Sequence, residues 1–415
     1  MDEKELKIGK ILYILEAGFE YLISILVAGS FLAKLTGTLG MSDSLTGILS
    51  AVISLGCLFQ LISVAIRRNR VKPLVITLSI INQLLFLFLY VTPLFEMDKN
   101  MKTGLFILAI FSAYLLYNIA FPKKISWLMS LVDDKERGIF TANKEIVSLL
   151  MGMGFSLGMG SVMDYFLDRG QVKAAFTIGA LVIFALMVLH TLTMVFTVEK
   201  PLPKEEKTVS LKEAFLDLLK NRGVRTVAFI FVLYYIGTYV AVPFYGTYQI
   251  NELGFNLKFV AVLGIVTAVV RIMVSRALGR YADRKSFAAM LEICFLMMAL
   301  SYLCVMFSVP KNGKVMFTLY YVFCGIANGG ISSASTNLVF AYVTPEKRSD
   351  ALAVNFAVSG TAGFLATLAA SPVVSYIQRN GNQLFGISMY AQQFVSLIAL
   401  FFMLLGAFCI RKKLL

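Results

Sequence analysis

Long apolar runs, each closed by charge or turn residues, dominate the chain. A helix crossing roughly 30 Å of hydrocarbon needs about 20 mostly apolar residues at 1.5 Å rise. Twelve windows of that length are present: Ile11 to Leu35, Leu45 to Ile66, Pro73 to Phe95, Thr103 to Leu131, Ile146 to Phe166, Ala174 to Val198, Thr226 to Ile250, Phe259 to Leu278, Phe287 to Val309, Val315 to Val343, Ala351 to Ile377 and Tyr390 to Ile410. The pattern predicts an all-α membrane protein of twelve transmembrane helices.

Composition agrees. Of 415 residues 58% are apolar and 15% charged, and the mean hydropathy of +0.79 exceeds what one soluble core can bury. Fifty-three aromatic residues, 30 glycines and 5 cysteines exclude a disordered, collagen-like or disulfide-stapled chain. Cys57, Cys294, Cys304, Cys324 and Cys409 all fall in apolar windows without paired spacing, so they read as buried thiols, and neither a metal nor a cofactor is expected.

The formal charge of +14 would suggest a polyanion partner in a soluble domain, but here it collects in short loops, so the bilayer and not nucleic acid is the expected partner. With the N-terminus inside, 26 Lys or Arg fall in cytoplasmic segments and 9 outside, leaving Lys123, Lys124 and Arg271 within spans. Both termini are therefore expected in the cytoplasm and the chain in the plasma membrane. Asp2, Glu3 and Glu5 before span 1, Glu16 and Glu20 within it, and no small-residue cleavage pattern argue against a signal peptide.

The longest hydrophilic stretch, 199–225, divides a 1–198 six-span half from a 226–415 six-span half. Ser210 is positioned to cap an amphipathic segment bearing Leu211, Phe215, Leu218 and Leu219, expected on the cytoplasmic membrane surface. The halves repeat each other. Leu39-Gly40-Met41-Ser42 ahead of span 2 matches Leu253-Gly254-Phe255-Asn256 ahead of span 8, and Glu136-Arg137-Gly138 after span 4 matches Lys347-Arg348-Ser349 after span 10. A duplicated six-helix unit predicts such constant offsets.

On these residues the sequence resembles the major facilitator superfamily. The loop after span 8, Gly279-Arg280-Tyr281-Ala282-Asp283-Arg284-Lys285, looks like that family's G-x3-D-R-[KR] signature, with Ser286 where a later glycine is usual. The equivalent Arg67-Arg68-Asn69-Arg70 keeps only the basic charge. Pro122 and the run Leu131 to Gly138 resemble the family's proline and arginine-glycine loop. The resemblance implies two pseudo-symmetric six-helix bundles around a central cavity lined by helices 1, 4, 7 and 10. It also implies a cytoplasmic latch formed by Gly279, Asp283, Arg284 and Arg137, against the alternative of a solvated loop acid.

An ionisable side chain within a span costs about 2.5–3.5 kcal/mol on insertion scales, so each is a candidate functional group. Glu16 and Glu20, four residues apart, share one helix face and suit a proton-coupling site. By helical rise they lie roughly 8–14 Å deep, and Lys123 and Lys124 of span 4 roughly 10–14 Å. A cluster bridging spans 1 and 4 would bind a charged substrate or relay a proton; the alternative is a structural ion pair or snorkelling lysines. Arg271 reads first as a partner of Glu292 or a snorkelling side chain, second as an anion clamp, and His190 reads as a packing residue before a proton relay.

Tyr234, Thr238, Tyr245 and Tyr248 share a face of span 7, where Pro243 offers a kink; span 10 carries Asn328, Ser332 and Ser335. With Tyr114, Tyr117 and Asn118 of span 4 they are candidates for a substrate pocket, against a packing role; Tyr248 reads as an interface anchor. Gly152, Gly154, Gly158 and Gly160 resemble the glycine-rich fifth helix of proton-driven drug exporters, but that signature's proline is missing.

The function expected from these features is secondary active transport of a small organic solute by alternating access, with protons as coupling ion and the monomer as working unit. A transport-inactive sensor of the same fold and a lipid flippase are the alternatives. The chain has one histidine and no G-x4-G-K-[ST], H-E-x-x-H or G-x-S-x-G, so neither direct ATP drive nor a membrane-embedded enzyme is expected.

Overall fold

A computed structural model describes residues 3–65, 70–132, 137–199, 220–343 and 348–415. Among these residues thirteen helices carry the architecture: α1 (Glu3–Leu26), α2 (Gly29–Thr38), α3 (Asp43–Ala65), α4 (Lys72–Val91), α5 (Lys99–Met129), α6 (Arg137–Leu167), α7 (Val172–Phe196), α8 (Arg222–Tyr239), α9 (Leu257–Arg284), α10 (Phe287–Met306), α11 (Gly313–Phe340), α12 (Arg348–Arg379) and α13 (Ala391–Lys413). Among the described residues, eleven segments are long and apolar enough to span a bilayer; α1 and α2, bent by 42°, make a twelfth if they count as one broken span. The protein is an all-α membrane protein. The amphipathic segment expected after Ser210 lies outside the described residues, as do Arg67, Arg68, Asn69, Lys135, Glu136 and Lys347.

Two spans depart from the uniform helices that hydropathy predicts, because hydropathy fixes length and not continuity. Span 1 breaks after Leu26, where Gly29 adopts a φ of +52°. Span 7 breaks after Tyr239: Pro243, which has no amide proton to give, sits in a 3-10 turn (Val242–Phe244), followed by one α turn (Tyr245–Thr247) and a π turn (Tyr248–Glu252). A two-stranded antiparallel hairpin, β1 (Gln383–Leu384) and β2 (Ile387–Ser388), joins α12 to α13.

The internal repeat has a physical basis. Gly40 and Gly254 both take left-handed backbone, φ +65° and +67°, and each ends a helical segment. Beside them the Met41 amide reaches back to Thr36 O and the Phe255 amide to Gln249 O, satisfying terminal carbonyls. Packing repeats as well: α4 lies against α5 and α7, and α1 against α6 and α7; correspondingly α10 lies against α11 and α13, and α8 against α12 and α13.

The chain divides into two compact units. Unit 1 comprises Met1–Met41, Phe59–Thr208 and Asn256–Ala261; unit 2 comprises Ser42–Leu58, Val209–Phe255 and Val262–Leu415. In unit 1, Tyr13, Val71, Val75, Trp127, Leu128 and Met194 form a buried cluster, and Trp127 Nε1 donates to Val198 O at 3.0 Å. Glu199 Oε1 accepts the Lys72 amide at 2.9 Å while Lys72 Nζ donates to Val195 O and Thr197 O, so each residue caps the other's helix end. Helix α7 is two-faced: Leu181, Phe184, Val188, Leu192 and Val195 are exposed, as lipid-facing residues would be, while Ile183, Met187, His190 and Met194 face the unit's interior.

Candidate functional site

Helix α1 turns Gly9, Tyr13, Glu16 and Ile23 inward along one stripe. Glu16, 1% exposed, therefore enters the interior of unit 1 about midway along the helix. Lys124 of α5 meets it there: Nζ is 2.8 Å from Glu16 Oε1 and also hydrogen-bonds Glu20 Oε2. Glu20 is the cluster's most accessible carboxylate, its side chain 24% exposed. The two glutamates of span 1 and a lysine of span 4 thus come together as their depths suggest. Lys124 makes both contacts, whereas Lys123, half-buried, points elsewhere on the helix because adjacent residues are turned by about 100°.

Sequence reasoning gave His190 a packing role, but the structure places it in this site. Fully buried on α7, it lies with Nε2 3.0 Å from Glu16 Oε1 and Nδ1 2.9 Å from Gln83 Nε2 of α4. Gln83 is itself 2% exposed and lies outside the residues the sequence singles out. A polar pair facing inward from spans 3 and 6 was the available signal; which helices adjoin it was not. The result is a buried chain Gln83, His190, Glu16, Lys124, Glu20 drawn from four helices of one unit. Tyr13 lies on the same α1 face, and Lys144 Nζ of α6 stands 5.0 Å from its ring centre.

Ligand atoms of Glu16, Glu20 and His190 lie within 4.8 Å of one another, a spacing that would suit a metal ion. The Lys124 ammonium already supplies positive charge to both carboxylates, so a bound cation would have to displace it.

The remaining site candidates divide by unit. In unit 1, Tyr114 packs edge-on against Phe86, Tyr117 lies against Phe121, and Asn118 donates to Tyr114 O while accepting from Gln60 Nε2 at 3.0 Å. In unit 2, the Tyr234 ring lies among Phe231, Tyr235 and Phe295. Thr238 Oγ1 and the Tyr302 hydroxyl are buried facing each other, with the Tyr234 hydroxyl also beside Thr238. Asn328 Nδ2 reaches Cys324 Sγ at 3.3 Å, and exposed Ser332 accepts from Arg271 Nη2 at 3.4 Å. Tyr248 is no interface anchor: it is fully buried and its hydroxyl donates to Ser308 O at 2.7 Å.

Gly279 lies near the end of α9 with open space around its Cα, and Asp283 and Arg284 in the last turn are exposed. Among the described residues Asp283 makes no hydrogen bond or ion pair. Arg137 opens α6, and its side chain lies outside the described residues.

Comparison with known proteins fixes the class. The model of the Major Facilitator Superfamily matches residues 13–367, and the chain belongs to that family. No curated protein matches it. Among solved structures, it is similar to the nucleoside transporter NupG, in a mutant form, with a TM-score of 0.73 at 14% identity over 97% of this chain and 99% of that one. An auto-inhibited peptide transporter of the POT family gives 0.70 at 12% identity over 99% and 97%. A D-xylose-proton symporter gives 0.64 at 13% identity over 96% of each chain. At these identities the likeness is one of fold.

Proposed function

We propose that the protein is a secondary active transporter that moves a small organic solute by alternating access, coupled to protons through the Glu16, Glu20, Lys124 and His190 cluster. The observation that carries this reading is the cluster itself. Two carboxylates sharing one lysine inside a membrane-spanning bundle are expensive to keep there, and such groups mark ion and proton pathways. Family membership supports transport, and the likeness to a proton symporter is consistent with the coupling ion.

On this reading Tyr114, Tyr117, Asn118, Lys123 and Lys124 of unit 1, and Tyr234, Thr238, Asn328 and Ser332 of unit 2, are the candidates for contact with the solute. Thr238 is included by its position on α8, where its hydroxyl lies beside those of Tyr234 and Tyr302. Gly279, Asp283, Arg284 and Arg137 are the residues assigned to the cytoplasmic latch. The chain works as a monomer in the plasma membrane with both termini cytoplasmic.

Counterflow in proteoliposomes tests transport against sensing. Nucleosides, pentoses and dipeptides are screened first for thermal stabilisation of the purified protein, since a ligand of the folded state raises its apparent stability. A stabilising compound that exchanges across the membrane supports the transporter. One that binds without exchange establishes the sensor.

A further inference from the structure

His190 is the only histidine in the chain, it is fully buried, and both its ring nitrogens are engaged. With the Gln83 amide nitrogen 2.9 Å from Nδ1, Nδ1 accepts, so Nε2 carries the proton it donates to Glu16 Oε1. The imidazole is then neutral. Turning the Gln83 amide by half a turn exchanges nitrogen for oxygen at nearly the same place, and that oxygen accepts from a protonated Nδ1. Imidazole and imidazolium therefore fit one arrangement of heavy atoms. Either orientation leaves the outer atom of the Gln83 amide buried without a partner, the oxygen beside a neutral ring and the nitrogen beside an imidazolium, so the amide suits both charge states.

Charge balance favours the imidazolium. With a neutral imidazole, the buried Glu16 and the partly exposed Glu20 share the ammonium of Lys124, and an imidazolium supplies a second positive charge in direct contact with Glu16. Of the other groups facing the cluster, Tyr13 on α1 and Tyr117 on α5 are neutral phenols. Lys144 of α6, half-buried over the Tyr13 ring, is a further cation that faces Glu16, and Glu145 beside it is exposed. Past Lys72, α4 has no charged residue, and α7 has none between Lys173 and Glu199.

We propose that His190 holds the coupling proton, with Gln83 as the positioning residue whose amide turns to suit either charge state. This rests on the proton-coupled reading above. Release runs from imidazolium Nε2 to Glu16 Oε1, leaving an Nδ1–H imidazole that donates to Gln83 and a neutral carboxylic acid. Glu16 then loses its ionic hold on Lys124, whose ammonium keeps Glu20. Once Glu16 passes its proton on, the ring settles as the Nε2–H tautomer that donates to the carboxylate.

Because there is a single histidine, the full chain labelled with ¹⁵N-histidine, without a histidine tag and in lipid nanodiscs, reports this imidazole alone by NMR. The expected spectra show the neutral Nε2–H form at alkaline pH and one reversible conversion to imidazolium as pH falls. At a pH where the wild type is imidazolium, Glu16→Gln leaves the ring neutral. Gln83→Leu abolishes the hydrogen-bonded Nδ1 signature and serves as the comparison should Glu16→Gln not fold. A ring that stays neutral wherever the protein is folded, or that titrates identically in wild type and both variants, overturns the assignment. The readout needs no substrate: a histidine titrating as described in a protein indifferent to pH gradients would sink the coupling reading and leave the proton site standing.

Discussion

The Lys124 ammonium stands 2.8 Å from Glu16 Oε1, with the two side chains only 3% and 2% exposed. In that setting removing the lysine strands the Glu16 carboxylate in a low-dielectric interior, whereas loss of Glu16 leaves Lys124 paired with Glu20. Lys124→Met is expected to destabilise the purified protein by about 3–5 kcal/mol, read as a lowered thermal midpoint in detergent. Glu16→Gln added to Lys124→Met recovers part of the loss, since it removes the stranded charge. Lys123→Met, one residue away, leaves the midpoint nearly unchanged.

Asp164 near the end of α6 caps the first turn of α9, its Oδ1 and Oδ2 accepting the amides of Leu257 and Lys258 at 3.0 and 2.8 Å. A carboxylate at a helix N-terminus satisfies two otherwise orphan donors and opposes the helix dipole. Asp164→Ala is expected to cost about 0.5–2 kcal/mol, and hydrogen exchange at the Leu257 and Lys258 amides speeds up ahead of the rest of the helix. Gly160→Ala acts at the same contact, because an added Cβ would come within 3.0 Å of the Leu257 carbonyl carbon.

Tyr248→Phe tests how a doubly used acceptor responds. Ser308 O receives the Tyr248 hydroxyl at 2.7 Å and Gln393 Nε2 at 2.7 Å, so the carbonyl stays paired when the hydroxyl is removed. The loss is expected at about 0.5 kcal/mol, the low end for one hydrogen bond. Gln393→Leu combined with Tyr248→Phe leaves the carbonyl bare, and the thermal midpoint falls by more than the sum of the single changes.

Much of the fold can be read in the sequence because a bilayer demands a fixed length of apolar helix and helical rise converts residue counts into depths. That is why Glu16, Glu20 and the lysine pair were placed at one level. Rotation about the helix axis has no comparable constraint, so the choice of Lys124 over Lys123 emerged only in three dimensions. His190 and Gln83 were hidden for a related reason: each lies in a mostly apolar helix, Gln83 beside Asn82 and His190 beside Thr191, and its meaning depends on a neighbour distant in the chain. Arg271 was matched by depth to Glu292, yet its guanidinium donates to Ser332 on α11. The break in span 7 was signalled by Pro243, but the π turn that follows has no local signature.

The most direct test of coupling is uptake into proteoliposomes driven by an imposed pH gradient, using whichever compound shows counterflow, with wild type and Glu20→Gln compared at equal reconstitution. The account predicts that the gradient accelerates and concentrates uptake in the wild type, and that Glu20→Gln abolishes this drive while retaining exchange at equal pH on both sides. Undiminished gradient-driven accumulation in Glu20→Gln would contradict it.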